Sequence, residues 1–87
     1  MSGGPFILDT ITTDEYQTLS CPGSSHLTLQ ISNAGIYIGY REIGGEYPAN
    51  DEPFLPVVGG IDRPPFDEIR VKSYITGTPA NVKIRAT

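Results

Sequence analysis

Eighty-seven residues, ten of them glycine and eight proline, leave room for one small, turn-rich domain and exclude a two-domain enzyme. A charged fraction of 18% against 38% hydrophobic residues is too low for wholesale disorder. No run approaches the roughly 18 uncharged apolar residues that span a bilayer. A net charge of −4 argues against nucleic acid as a partner, because phosphate neutralisation needs a clustered positive surface.

The opening Met1-Ser2-Gly3-Gly4-Pro5 lacks the basic region and apolar stretch of a signal peptide, so synthesis in the cytoplasm is expected, with residues 1–5 a flexible arm on a single β domain spanning residues 1–87. From Phe6 to Thr13 the residues favour a strand with two mixed faces, an edge or an arm. Thr13-Asp14-Glu15-Tyr16-Gln17 suits one short helical turn, and Cys21-Pro22-Gly23-Ser24-Ser25 reads as a turn. Leu27 to Ser32 is the clearest alternation in the chain, with Leu27, Leu29 and Ile31 on one face. Asn33-Ala34-Gly35 offers positive φ for a tight reversal, and Ile36 to Glu42 resumes the pattern, which predicts a hairpin. In that second strand Tyr40 is expected inward, and Gly39 marks a bulge or a close backbone approach.

Between Gly44 and Pro65 lie five of the eight prolines, so regular structure there should be short, with Phe54 to Val58 one short strand or an extended segment laid over the core, kept off any central sheet position. Glu68 to Ile75 sets Ile69, Val71, Ser73 and Ile75 against Glu68, Arg70, Lys72 and Tyr74. After the loop Thr76 to Ala80, Asn81 to Thr87 alternates Val82, Ile84 and Ala86 with Lys83 and Arg85, which predicts a second hairpin. Two hairpins, an arm and a short strand predict an all-β fold: a small antiparallel sandwich or barrel of six to seven strands.

One cysteine and one histidine leave neither a disulfide nor an ordinary zinc set, so no metal or cofactor is expected. A domain this small removes only about 60% of its unfolded surface from water, and without staples it is expected to gain stability by packing against copies of itself or a larger assembly. Charge is also uneven. Residues 1–68 hold all ten acids against Arg41 and Arg63, whereas residues 69–87 hold Arg70, Lys72, Lys83 and Arg85 and no acid. These four either solvate the outer faces of two strands or meet an acidic neighbour.

Catalytic residues are hard to find. Cys21 and His26 are the only reactive pair, and no family signature surrounds them. The carboxylate pairs Asp14–Glu15, Asp51–Glu52 and Asp67–Glu68 are sequence neighbours, which on a strand point to opposite faces. Asn50-Asp51-Glu52-Pro53 does not reproduce a calcium loop, and neither glycine pair opens a helix that would cradle phosphate. The expectation is therefore a non-enzyme whose candidate interface residues are Tyr37, Tyr47, Tyr74, Arg70, Lys72, Lys83 and Arg85, since tyrosine is favoured at interfaces and also stacks on sugars.

Three blocks carry a resemblance: Leu27-Thr28-Leu29-Gln30-Ile31-Ser32-Asn33-Ala34-Gly35 with Ile36-Tyr37-Ile38, then Phe54 to Arg63, then Ile69-Arg70-Val71-Lys72-Ser73 with Gly77-Thr78-Pro79-Ala80 and Val82-Lys83-Ile84-Arg85. Over residues 27–87 the chain resembles small β-sandwich structural proteins of tailed bacteriophages; residues 1–26 have no counterpart. The resemblance implies a virion component with no catalytic residues to carry over. A head decoration or cement protein is the first choice, with a minor tail or neck protein as the alternative. Its implied partners are copies of itself and the major capsid or tail protein, with no nucleic acid and no membrane. A carbohydrate- or receptor-binding β module is the competing class, with the tyrosines as stacking platforms.

Overall fold

Period-two alternation becomes strand throughout the chain, and the computed structural model, which describes residues 5–87, contains no helix among them. Six strands form: β1 (Phe6–Ile11), β2 (Gln17–Ser32), β3 (Ile36–Glu42), β4 (Glu52–Phe54), β5 (Val57–Ser73) and β6 (Asn81–Ala86). They make one antiparallel sheet in the order β1-β6-β2-β5-β3-β4. Apart from Pro5, the arm expected over residues 1–5 lies outside the described residues.

Two strands of 16 and 17 residues, β2 and β5, set the architecture. They pair twice, from Gln17↔Val71 to Ser20↔Glu68 and again from His26↔Asp62 to Ile31↔Val57. Between these stretches the register shifts on both sides of Ser24, which pairs with Phe66. Here β2 carries Cys21-Pro22-Gly23 and β5 carries Arg63-Pro64-Pro65, so three prolines withhold ladder donors and Gly23 takes φ +76. The ribbon bends at this break, and the sheet doubles into two half-sheets. One holds β1, β6, the second half of β2 and the first half of β5; the other holds the first half of β2, the second half of β5, β3 and β4.

Side chains from both halves meet in one core. Leu27, Leu29, Ile31, Val82, Ile84 and Ala86 come from the first half-sheet and Ile36, Ile38, Ile69 and Val71 from the second, with Cys21 and Phe66 at the bend. Facing positions agree with the register, since Leu29 opposes Ile84 and Ile38 opposes Val71. One end is tied by polar groups: the buried Thr12 and Ser73 hydroxyls lie 2.9 Å apart, and the Ala80 N–H donates to Thr12 Oγ1 at 2.9 Å.

Both expected hairpins are corrected by this topology. β2 and β3 do not pair, nor do β5 and β6. Asn33 does take positive φ, at 79°, but it turns the chain from one half-sheet to the other, because the edges of β2 at that point are already occupied by β6 and β5. Alternation fixes which face of a strand is buried and leaves its neighbour open. The turn expected over Cys21 to Ser25 is instead the bulged middle of β2, and the proline-rich segment after residue 56 is the first half of β5. That half of β5 has β2 on one side only, as expected for a segment with prolines at its margins. Of the expected helical turn over Thr13 to Gln17, Asp14 and Glu15 form a bend instead, in which the Glu15 N–H donates to Thr13 Oγ1 at 3.2 Å, and Gln17 already belongs to β2. Strand ends also move inward: β1 stops at Ile11 and β5 at Ser73.

Candidate functional site

Pairing of β3 with β5 sets Tyr37 opposite Lys72, Gly39 opposite Arg70 and Arg41 opposite Glu68 on the outer side of the second half-sheet. Gly39 leaves a hollow there. A Cβ at that position would lie 2.9 Å from Arg70 Nε and would collide with the Asp51 carboxylate, so only glycine admits the pair beneath it. Arg70 bonds Asp51 Oδ1 through Nη2 at 3.2 Å and Nε at 3.3 Å, with Asp51 almost wholly buried. Its guanidinium lies 4.2 Å from the Tyr16 ring centre and 4.4 Å from that of Tyr47, one of the stronger forms of cation–π contact. The Tyr16 hydroxyl donates to Asp51 and the Tyr47 hydroxyl to Glu68. Burial, followed by that bond to Glu68, raises the Tyr47 phenol above its ordinary range.

Lys72 extends the strip, with Nζ 4.8 Å from the Tyr16 ring and 5.9 Å from that of Tyr37; Tyr37 in turn packs on Tyr74 at 5.0 Å. Four tyrosines and two cations therefore share one face. Arg70 is neutralised from within, whereas Lys72 has no carboxylate within 4.0 Å among the described residues. Aromatic rings held rigidly beside cations are the composition of interface anchors and of sugar-stacking platforms.

Five of the seven residues singled out in the sequence, Tyr37, Tyr47, Tyr74, Arg70 and Lys72, meet on this face. Lys83 and Arg85 do not: they project from β6 on the outer side of the first half-sheet, where Lys83 opposes Asp9 and Arg85 opposes Ile7 in register. The four basic residues of the C-terminal stretch are thus divided between two outer faces. Tyr16 and Asp51 belong to the strip and were missed, because the β2–β5 pairing and the return of β4 that bring them in are long-range.

A second cluster lies at the bend. Tyr40 faces inward as expected and packs on Phe66 at 5.5 Å, with the Arg63 guanidinium 5.6 Å from its ring and held by both Glu52 oxygens. The Tyr40 hydroxyl is buried without a hydrogen-bond partner, and burial beside the Glu52 carboxylate raises its phenol. Asp51 and Glu52, neighbours in sequence, serve different arginines, Arg70 and Arg63.

Cys21 points into the core while His26 sits outside, bonded through Nδ1 to Asp62 at 2.7 Å. Burial, aided by Glu68, pushes the Cys21 thiol up to about 11, so it stays protonated and unreactive at neutral pH. A thiol reagent at pH 7.5 is expected to leave Cys21 unmodified in the native chain and to label it fully in denaturant. Rapid native labelling would show the bend to be open. Thiolate forms more readily in the unfolded chain, so the contribution of this burial is complete below about pH 9 and is lost as pH rises towards 11. Among the described residues no three His, Cys, Asp or Glu side chains converge to hold a metal ion.

An all-β antiparallel fold bent over a single core, with a tyrosine–cation strip on one outer face, is the class these observations define. No protein-family model matches the chain, and no curated protein matches it by sequence. Its fold is similar to solved structures at low identity. HppE in its cobalt(II) form with Tris buffer aligns at TM-score 0.55 and 14% identity, covering 95% of this chain and 44% of that one. Hydroxypropylphosphonic acid epoxidase from S. wedmorenis aligns at 0.54 and 13%, covering 95% and 42%. The chain therefore spans less than half the length of these proteins. A metal is named for HppE; among the described residues of this chain no group of three His, Cys, Asp or Glu could hold one, and His26 is on the outer face, paired with Asp62. YomS, a protein derived from the SPBc2 prophage, aligns at 0.54 and 14% identity, covering 92% of this chain and 93% of that one.

Proposed function

We propose that this chain is a non-enzymatic structural component of a tailed-phage virion, made in the host cytoplasm and docked on the head as a decoration or cement protein. The observation that carries the reading is the YomS likeness, which runs over nearly all of both chains. The likeness to the epoxidase uses under half of a larger one. A module of this size without a disulfide suits a symmetric shell, where many weak contacts add through multivalency. On this reading the tyrosine–cation strip meets an acidic patch on the major capsid protein, with Lys72 as the unneutralised charge. A minor tail or neck position is the alternative within the same class.

Particles of the source phage made without this chain are expected to lose DNA at lower temperature than complete ones. Added chain should restore them, and a Tyr37→Ala/Tyr74→Ala variant should not. Particles of unchanged stability, together with glycan binding that the same double variant abolishes, would replace this reading with a carbohydrate- or receptor-binding module.

A further inference from the structure

Both borders of the first half-sheet are open. Among the described residues β1 pairs with β6 over all six of its positions and with no other strand, and the stretch Val57 to Asp62 of β5 pairs with β2 alone. Natural edge strands are blunted by charged side chains, lysine above all, by internal proline, a bulge or a covering loop; the one charge on each of these borders is an aspartate, Asp9 or Asp62. Among the described residues neither border carries lysine, internal proline or a bulge. Each follows a proline, Pro5 or Pro56, and then runs six residues without one. Each also exposes large aliphatic side chains: Ile7 and Ile11 are 52% and 60% exposed, and Val57 and Val58 are 42% and 78% exposed.

We propose that a second copy of this chain occupies these borders, β1 of one protomer adding antiparallel to the first half of β5 in the next. Strand direction permits it. β1, β6, β2 and β5 alternate in direction across the half-sheet, so a following copy in the same orientation presents a β1 antiparallel to β5, and the alternation continues unbroken. Registers that keep inner faces inward differ by two residues, and composition selects among them. With Ile11 opposite Val58, the outer face sets Asp9 against Gly60, and the inner face joins the half-buried Leu8 to Ile61, extending the core across the junction. Shifting by two in one direction sets Asp9 against Asp62, two like charges directly opposed. Shifting the other way sets Asp9 against Val58 and loses the aliphatic pair. Main-chain hydrogen bonds would supply affinity and the Ile11–Val58 and Leu8–Ile61 pairs the register. The contact is head-to-tail, so it propagates into a ring or a filament rather than closing as a twofold dimer.

This pairing does not depend on a virion role. A chain that pairs this way but is absent from particles would overturn the proposed function and leave this inference standing. Within one chain β1 and the first half of β5 are three strand spacings apart, roughly 14 Å, beyond the roughly 7 Å between Cα atoms that a disulfide bridges. Oxidised Ile11→Cys/Val58→Cys is therefore expected to give a ladder of covalent multimers on a non-reducing gel. Either single variant and the off-register Ile7→Cys/Val58→Cys should stay monomeric. By light scattering the parent chain should exceed the monomer mass, Ile11→Lys should return it to monomer, and Ile11→Lys/Val58→Glu should restore the multimer. A monomeric parent chain, a dimer from Ile11→Cys alone (two β1 strands paired about a twofold axis), or no restoration by the charge pair would each overturn the proposal. The lysine and glutamate changes fall on exposed side chains, so folding survives them and the mass measurement stands if the cysteine variants fail.

Discussion

Arg70→Ala is expected to destabilise the chain by about 2–3 kcal/mol, below the range for breaking a fully buried pair because Arg70 keeps 22% of its side chain in contact with solvent. The loss is large because Asp51, only 6% exposed, would be left with a buried charge and the Tyr16 hydroxyl as its sole partner. Tyr16 and Tyr47 would lose the guanidinium packed between them, so the strip should disorder along with the fold's stability. For a domain of this size the shift in Tm is about 10–20 °C. In an Asp51→Ala background the same substitution should cost much less, and that double-mutant cycle is the check. Additive single and double effects would show that Arg70 and Asp51 do not form a coupled pair.

Phe66→Ala is expected to cost about 3–5 kcal/mol, the usual range for emptying a buried aromatic site. Total stability for a chain this long is about 4–13 kcal/mol, so the loss takes at least about a quarter of it, and at the low end of that range it brings the variant to the unfolding midpoint. Phe66 is fully buried and pairs with Ser24 on β2 and Glu42 on β3, while its ring supports Tyr40. It fills the bend where both long strands lose their ladder, and Pro64 and Pro65 stiffen the backbone there against collapse around a void. Urea unfolding of Phe66→Ala and Phe66→Leu measures this: the leucine variant should retain most of the stability. Equal and small losses in both would place the bend outside the cooperative core.

The sequence made some of this legible, and the reason lies in what alternation encodes. Leu27, Leu29 and Ile31, and likewise Val82, Ile84 and Ala86, show which side chains are buried, since period two ties position to face regardless of partner. Tyr40 faces inward on the same ground, and Gly39, open between a bulge and a close backbone approach because a strand loses stability by carrying glycine without a reason, is approached by the Arg70 and Asp51 side chains. Partnership was not legible. Asn33-Ala34-Gly35 has the residues of a hairpin turn, but a reversal that returns in the same sheet and one that crosses to the facing half demand the same positive φ. Nor did the sequence announce that Pro22-Gly23 and Pro64-Pro65 flank the one Ser24–Phe66 pair and break the same ribbon there, since prolines and glycines scattered through a chain read as loops until a register aligns them.

The strip was half visible for a related reason. Tyr37, Arg70, Lys72 and Tyr74 lie on strands whose outward positions alternation predicts, and Tyr47 was included as a turn aromatic. Asp51 sits in the proline-rich stretch between β3 and β5, where no periodicity says which way a side chain points. Its burial against Arg70 follows only once β4 returns alongside β3 and Gly39 opens the hollow. Lys83 and Arg85 were grouped with Arg70 and Lys72 because they share a basic stretch of sequence. The crossing between β5 and β6 then carries them to the other outer face.

Quantitative mass spectrometry of purified particles of the source phage, with this chain counted against the major capsid protein, tests the central claim most directly. The account predicts hundreds of copies per particle, as a head lattice decorated at its symmetry-related positions requires. A handful to a few dozen copies would contradict head decoration and move the chain to the neck or tail. Absence from the particle would contradict the virion role itself.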